Sequence, residues 1–396
     1  MRLRLSKANP DMENTKPAYY NETKHSMHRR CDGWDYKGRG IYMLTLAVEG
    51  RMPLLGKLMG KEAEAAYIEM SDLGKVIAQE VENIPSHYPQ IRVLCKQVMP
   101  DHLHFVLFVQ DPLPVHLTSV ITGFKTGCSR AFWQLYPAHE IAGTEHPMGT
   151  ELSVITAAPG KEVSCAADFH EAEVTCAADF HEAVNCRNPK RPGLWEAGYN
   201  DRILFHDGQL DAMIHYVHDN PRRLWLKRAN PDLFRIRRQT MVAGVECTTL
   251  GNIFLAERPQ RTLLQCSRSL SQAEIDAKRE ACLAEADNGT VFISAAISEG
   301  EKQISRALRR AGYPMIILLQ DGFPKPGDPH ERYYKPGGEY FEACANEQLL
   351  LIEPSQALLD APEVEAAVYR KAHDIPHSSQ RYRFLALNVI GWMMQT

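Results

Sequence analysis

The chain has 396 residues, more than one compact domain usually holds, so we expect two domains. Hydrophobic residues make up 44% and charged residues 24%, as in ordinary globular proteins, and no apolar run is long enough to predict a transmembrane helix. The net charge of −4 excludes a uniformly basic nucleic-acid binder. Ten cysteines without a CxxC pair predict reduced cytosolic thiols. The N-terminus lacks an apolar segment, so no secretory signal is predicted.

A polar, aperiodic tail over 1–29 precedes a run of predicted strands and helices. Strands are predicted at 40–50, 91–99 and 102–109, and helices at 70–84 and 117–135. Ser71 has the position of an N-cap for the first helix. Because a tight Pro-Asp connection joins the last two strands, they are expected to form an antiparallel hairpin.

Two histidines, His102 and His104, lie one residue apart in the strand VMPDHLHFVLFV (98–109). Side chains two positions apart on a strand point to the same face, whereas Leu103 between them points to the other. Two neutral imidazoles placed in this way can converge on one divalent ion. The pair alone is more typical of two half-exposed strand histidines, so other residues must decide between these interpretations.

Residues 138–192 form an insertion that contains a tandem repeat. EVSCAADFHEA is followed by EVTCAADFHEA over 162–183, with a period of 11. The equally spaced Cys, Asp and His residues suggest a metal site, because 11 residues are close to three helical turns. A recent duplication copies whatever was there, however, so we prefer a spacer segment as the interpretation.

A helix is predicted over 209–219, and we expect it to end near Asn220 because Pro221 disfavours helical geometry in the preceding residue. Tyr216 and Asn220 lie four residues apart and share one helical face. A tyrosine oxygen can attack phosphorus as a covalent nucleophile, and a divalent ion can polarise the phosphate. A lone helical tyrosine is more often a core residue, so only its combination with the histidines indicates chemistry.

Several segments occur in an order that is typical of a known family. They are WDYKGRGIYMLTLAVEGRMPLLGKL, VMPDHLHFVLFV, ITGFKTGCSRAFW, LWEAGYNDRIL and YVHDNPRRLW. In this order they resemble the first strand and turn, the histidine strand, the Phe-Lys helix and the tyrosine segment of the single-tyrosine HUH transposases. The resemblance is strongest to the REP-associated tyrosine transposase branch, and it covers residues from about 30 to 240 apart from the insertion.

The resemblance implies a ferredoxin-like antiparallel sheet with helices on one face over 30–245. It implies that His102 and His104 bind a metal ion, Mg²⁺ or Mn²⁺. Asn220 would be a third, weaker ligand, and Tyr216 would be the nucleophile. The implied reaction cleaves single-stranded or hairpin DNA and leaves a 5′-phosphotyrosine link and a free 3′-OH. The family contains monomers and homodimers that exchange tyrosine helices, and it implies a nucleoid-associated bacterial protein in the cytoplasm.

Positive charge is concentrated in the N-terminal half of the chain. The segment 222–238 holds seven Lys or Arg residues and one acidic residue. Phosphate contacts supply affinity but carry no sequence choice. The candidates for such contacts are Lys125, Arg130, Arg202, Arg222 and Arg223. For any one of them, a solvated surface charge is the alternative interpretation.

A linker is expected over 246–258, and the pattern of 259–396 predicts a Rossmann-like α/β domain with a parallel sheet. TVFISAAISEGEKQI (290–304) has a Ser/Ala/Gly loop before a helix start, which can cradle a phosphate. It faintly resembles the DNA-processing A and SLOG domains, which implies nucleotide or single-stranded DNA binding. The residues concerned are Ser294, Ser298, Glu299 and Gly300. Without a GxGxxG or Walker A motif, a packing or protein-contact domain is the preferred alternative.

Two functions therefore remain open. The first is a transposase-like enzyme that cleaves and rejoins single-stranded DNA through a phosphotyrosine intermediate. The second is a domesticated protein that binds structured DNA without cleaving it, with a fused domain that senses a nucleotide or recruits a partner. The presence of every candidate catalytic residue favours the first function.

Overall fold

The structure, a computed structural model, describes residues 31, 33–136, 193–206, 208–323, 337–373 and 375–395. The expected tail (1–29) and the insertion (138–192) with its repeat lie outside these residues. The chain divides into two compact units, Met1–Trp225 and Leu226–Thr396. No helix in the described part of the chain is long and apolar enough to cross a membrane. Among these residues the buried cysteines are free thiols, as expected, and Cys31 is exposed.

The first unit is built on a four-stranded antiparallel sheet. Its elements are β1 (Gly40–Ala47), β2 (Gly56–Met59), β3 (Tyr67–Met70), α1 (Asp72–His87), β4 (Ile91–Met99), β5 (His102–Val109), α2 (Leu117–Leu135), β6 (Asn200–Ile203) and the start of α3 (Gln209–Ala229). The sheet order is β4-β5-β1-β6, and β2 and β3 form a separate hairpin. The predicted antiparallel pairing of β4 with β5 is confirmed.

Strand β5 lies inside this sheet and is covered on both faces. Leu103 and Phe105 point into a core that α1 and α2 complete. Val106, on the opposite face, packs in a second cluster with Met213 and Val217 of α3. Helices therefore cover both faces of the sheet, whereas the resemblance implied helices on one face. Apolar residues lie on both faces of β5, so a second cover is required, because an uncovered face would expose them to water.

The second unit holds a six-stranded mixed sheet. Its elements are β7 (Arg237–Val242), β8 (Val245–Gly251), β9 (Arg261–Leu263), α4 (Gln272–Asp287), β10 (Val291–Ser294), α5 (Glu299–Arg310), β11 (Met315–Leu318), α6 (Gly338–Ala345), β12 (Leu349–Pro354), α7 (Gln356–Leu359), α8 (Pro362–Lys371) and α9 (Gln380–Met393). Strands β9 to β12 are parallel, as predicted, and α4 to α6 pack on one face while α7 to α9 pack on the other.

The boundary between the units differs from the expected one at 245. The division falls after Trp225, inside α3. The expected linker, 246–258, contains most of β8, which pairs antiparallel with β12 and with β7. With β7, strand β8 forms a hairpin that extends the sheet of the second unit. Sequence periodicity predicts a strand but does not show which sheet the strand joins.

The start of α1 is held closely against the segment before it. Ser71 caps the helix by accepting a hydrogen bond from the Gly74 N–H at 3.0 Å, and its hydroxyl donates to the Leu54 carbonyl at 2.7 Å. A Cβ added at Gly74 would lie 2.0 Å from the Leu55 carbonyl oxygen. Only glycine therefore lets this backbone approach form.

Replacing Gly74 by alanine is expected to destabilise the first unit by about 1–3 kcal/mol, as overpacking does. Gly123→Ala is the matched control, because a Cβ at that helical position meets nothing within 4 Å. That variant should be unchanged or more stable by about 0.5–1 kcal/mol. Differential scanning calorimetry of both variants measures the effect, and an unchanged Tm for Gly74→Ala would contradict the close packing.

Candidate active site

The two histidines lie on the face of the sheet that α3 covers. His102 pairs in register with Ala47 and His104 with Thr45 of β1. His104 is 5% exposed. Their rings are perpendicular, with centroids 4.7 Å apart, and the two Nε2 atoms approach to 3.1 Å. The sequence prediction that both side chains share one face is met.

Both histidines are anchored through their other ring nitrogen. His102 Nδ1 lies 2.5 Å from the Asp101 carboxylate, and His104 Nδ1 lies 2.8 Å from the Thr45 hydroxyl. An ionised carboxylate only accepts hydrogen bonds, so His102 Nδ1 is the donor to Asp101, and its Nε2 faces that of His104. Partners of this kind fix the tautomer and orientation of metal-binding imidazoles. The two Nε2 atoms can therefore act on one shared cation or proton.

Tyr216 is brought to the histidine pair by α3. Its ring centroid lies 6.0 Å from that of His104, at an interplanar angle of 67°. The guanidinium of Arg223 lies 5.4 Å from the centroid of the tyrosine ring, and this arginine is 7% exposed. Seven residues are two helical turns, so both side chains share a face. Tyr216 thus lies beside His104 of its own chain.

Helix α3 does not end near Asn220, so that prediction was wrong. It continues through Pro221 to Ala229. Pro221 has no N–H to donate to the Val217 carbonyl. The Asn220 side chain replaces this donor, because its Nδ2 atom donates to the carbonyls of Val217 at 3.3 Å and Tyr216 at 2.9 Å.

These bonds also fix which way the amide of Asn220 faces. Its nitrogen points to the helix carbonyls, so Oδ1 is turned away from them. Asn220 is buried, one turn beyond Tyr216 on the same helix face. Among the described residues, no group of three His, Cys, Asp or Glu side chains is placed to hold a metal ion. Asn220, the predicted third ligand, is an amide and falls outside those types.

The predicted phosphate contacts have different environments. Lys125 donates to the carbonyls of Glu196 at 2.7 Å and Gly198 at 2.8 Å, which ties α2 to the segment before β6. Arg222 forms ion pairs with Glu64 at 3.6 Å and Asp219 at 3.5 Å. The remaining candidates divide into a buried residue and two exposed ones. Arg223 is buried against Tyr216, whereas Arg130 and Arg202 are exposed.

Sequence reasoning missed the two residues that orient the imidazoles. Asp101 directly precedes His102, so a carboxylate beside an HxH pair was the available signal. Thr45 lies on another strand, and only the pairing register of β1 with β5 places it opposite His104. A sequence without that register cannot reveal it.

The loop in the second unit has an internal carboxylate where a phosphate was expected. Ser298 caps α5 in a capping box with Glu301. The Glu301 carboxylate, 4% exposed, accepts from the backbone N–H of Ile297 at 2.7 Å and of Cys266 at 3.1 Å. Ser294 is buried and bonds with Ser305, Glu299 is exposed, and a Cβ at Gly300 would meet the Cys266 sulfur. This geometry favours the packing interpretation over nucleotide binding.

Comparisons with known proteins give partial matches. No protein-family model matches the chain. An uncharacterised protein of Haemophilus influenzae is 29% identical over 83 residues, which span 21% of this chain and 43% of that protein. The match thus covers less than half of that relative's own length.

Two solved structures share local similarity with the chain. A REP-associated tyrosine transposase bound to a REP hairpin is 10% identical with a TM-score of 0.26, over 50% of this chain and 72% of that one. A candidate transposase from Deinococcus radiodurans R1 is 14% identical with a TM-score of 0.24, over 48% of this chain and 98% of that one. TM-scores at this level do not establish a shared function.

The pairing of Asn220 with Pro221 can be tested by a double-mutant cycle. Asn220→Ala should cost about 1–3 kcal/mol, because it leaves the Val217 carbonyl without its side-chain donor. In a Pro221→Ala background the restored N–H can bond the Val217 carbonyl, so the same substitution should cost less. Urea unfolding measures both losses, and losses equal to within about 0.5 kcal/mol would contradict the compensation.

Proposed function

We propose that the chain is a metal-dependent endonuclease and strand transferase for single-stranded DNA, of the single-tyrosine HUH transposase type. The observation that carries the proposal is the convergence of the two Nε2 atoms, 3.1 Å apart, beside a tyrosine ring 6.0 Å from His104. In this proposal the first unit is a ferredoxin-like HUH domain with α3 as its tyrosine helix. The second unit is a Rossmann-like α/β domain.

The donor set fits a divalent ion. The Nε2 atoms of His102 and His104 face each other, and their Nδ1 atoms are held by Asp101 and Thr45. Asn220 would add an amide oxygen. Imidazole is a common ligand for divalent transition metals, and Mg²⁺ or Mn²⁺ would take its further ligands from oxygen atoms such as those of an amide, water or a DNA phosphate. When bound, such an ion would polarise a DNA phosphate as a Lewis acid.

Tyr216 would supply the nucleophile. Its phenolic oxygen forms a bond to phosphorus while the bond from phosphorus to the 3′-oxygen breaks. The phenol gives up its proton, and the leaving 3′-oxygen takes one up, so a 5′-phosphotyrosine and a free 3′-OH result. Attack of a 3′-OH on the phosphotyrosine reverses these bonds and joins strands without ATP.

The buried Arg223 would hold the tyrosine ring in place. Its guanidinium lies against the ring that faces His104, and cation–π contacts of this kind contribute about 0.5–2 kcal/mol. The exposed Arg130 and Arg202 remain available to contact the DNA backbone, which supports hairpin or single-stranded DNA as the partner. A homodimer of this chain is part of the same proposal.

Replacing Tyr216 by phenylalanine should abolish a covalent protein–DNA adduct and leave DNA binding intact. The substrate is a hairpin oligonucleotide with single-stranded flanks, incubated with Mn²⁺ and analysed by denaturing gel electrophoresis. Tyr369→Phe, in the second unit, is the matched control and should form the adduct normally. An adduct that persists in Tyr216→Phe would exclude this nucleophile. Hairpin binding without an adduct in any metal, unaffected by His102→Ala, would support the non-cleaving alternative.

Replacing Thr45 by valine should raise the Mn²⁺ concentration needed for half-maximal adduct formation by about 10–100-fold, as loss of outer-shell partners does. Valine keeps the shape but removes the hydroxyl bonded to His104. Thr45→Ser should restore the wild-type value. Thr126→Val removes a hydroxyl that bonds only its own helix, to the Thr122 carbonyl, and serves as control. Equal metal dependence for Thr45→Val and wild type would contradict the anchoring role.

A further inference from the structure

A cleft of about 520 Å³ lies beside the tyrosine helix in the first unit. Its walls come from the segment before β1, from β6 and the residues after it, and from the first turn of α3. The volume lies in the range of small-ligand sites, about 300–1,000 Å³. None of the residues that bind or cleave DNA in the proposed reaction, apart from Arg202, lines it.

The cleft displays an aromatic ring that the backbone holds in place. Phe205 is 42% exposed. It contacts Trp34 edge to face, with centroids 5.1 Å apart at 88°. The Gln209 side chain accepts hydrogen bonds from the backbone N–H groups of Phe205 at 2.8 Å and His206 at 3.0 Å. The ring is therefore presented by an ordered turn, which is the arrangement a stacking platform requires.

Polar groups of two kinds line the same cleft. The Asp201 carboxylate accepts a hydrogen bond from the Tyr36 hydroxyl at 2.7 Å, which fixes its position. The exposed Arg202 brings a positive charge. A flat apolar ring, a carboxylate acceptor and a guanidinium donor together match a nucleotide, whose base stacks and donates from its edge while its phosphate carries negative charge.

The position of the cleft relative to Tyr216 indicates which nucleotide of the DNA would bind in the cleft. Met213 lines the cleft and lies one helical turn before Tyr216 on α3. We propose that this cleft binds one unpaired base of the single-stranded DNA that flanks the cleaved phosphate, stacked on Phe205. This inference rests on the proposed function, because it assigns a subsite to the same substrate.

The test measures binding in a Tyr216→Phe background, so no cleavage interferes. Hairpin oligonucleotides with an abasic residue at each flank position in turn are titrated by fluorescence anisotropy. One abasic position should raise Kd by about 5–150-fold, which is the range for loss of one base–aromatic stack. Phe205→Ala should raise Kd for the intact DNA by a similar factor, and the abasic position should then have no further effect.

Two further variants keep this result interpretable. Phe205→Leu keeps an apolar side chain and should show the same loss, so a folding defect in the alanine variant does not decide the outcome. Phe254→Ala, at an exposed phenylalanine of the second unit (65% exposed), should retain the sensitivity to the abasic position. Circular dichroism melting confirms that each variant is folded.

The outcomes distinguish failure of the base subsite from failure of the proposed cleavage reaction. Abasic losses that are the same with and without Phe205, or unchanged affinity in both Phe205 variants, would overturn the base subsite. If wild type still forms the covalent adduct in that case, the nuclease proposal stands alone. Coupling between Phe205 and one base without any adduct would support the subsite and remove the cleavage step. Absence of any DNA binding by wild type would overturn both.

Discussion

The two-sided burial of β5 is the constraint on which the first unit depends. One side of the strand is apolar and completes a core with α1 and α2, so the histidines must occupy the other side. A buried imidazole is costly unless both of its ring nitrogens are satisfied. Asp101 and Thr45 satisfy one nitrogen of each ring, and the remaining nitrogens face each other. The fold thus creates a polar pair whose two Nε2 atoms lie 3.1 Å apart on the face that α3 covers.

Helix α3 supplies both the cover for this polar face and the tyrosine beside it, Tyr216. Met213 and Val217 pack on Val106, and these contacts fix the rotation of the helix. Once that rotation is fixed, Tyr216 has to lie beside His104. Pro221 would break such a helix just after the tyrosine, but the side chain of Asn220 bonds the carbonyl that the proline leaves unpaired. The residue that the family resemblance suggests as a ligand therefore also keeps the helix intact.

The sequence predicts the longer elements of the first unit because their patterns are local, whereas the four-residue strands β2, β3 and β6 were not predicted. The strand at 102–109, the helix at 117–135 and the shared face of the two histidines follow from periodicity alone. The features that it misses depend on non-local pairing. Thr45 reaches His104 only through the register of β1 with β5, and the path of α3 beyond Pro221 depends on a side-chain hydrogen bond. Family resemblance supplied the link between Tyr216 and the histidines, which no spacing could show.

The second unit shows how the same local pattern can mislead. The pattern of a strand, a small-residue loop and a helix start is as typical of a helix that caps its own N-terminus as of a loop that binds phosphate. The distinguishing signal was present in the sequence, because Ser298 and Glu301 have the spacing of a capping box. In the structure the Glu301 carboxylate bonds backbone N–H groups at both Ile297 and Cys266. A phosphate at this loop would have to displace a buried carboxylate that already satisfies those donors, so helix α5 begins with its anion supplied from within the chain.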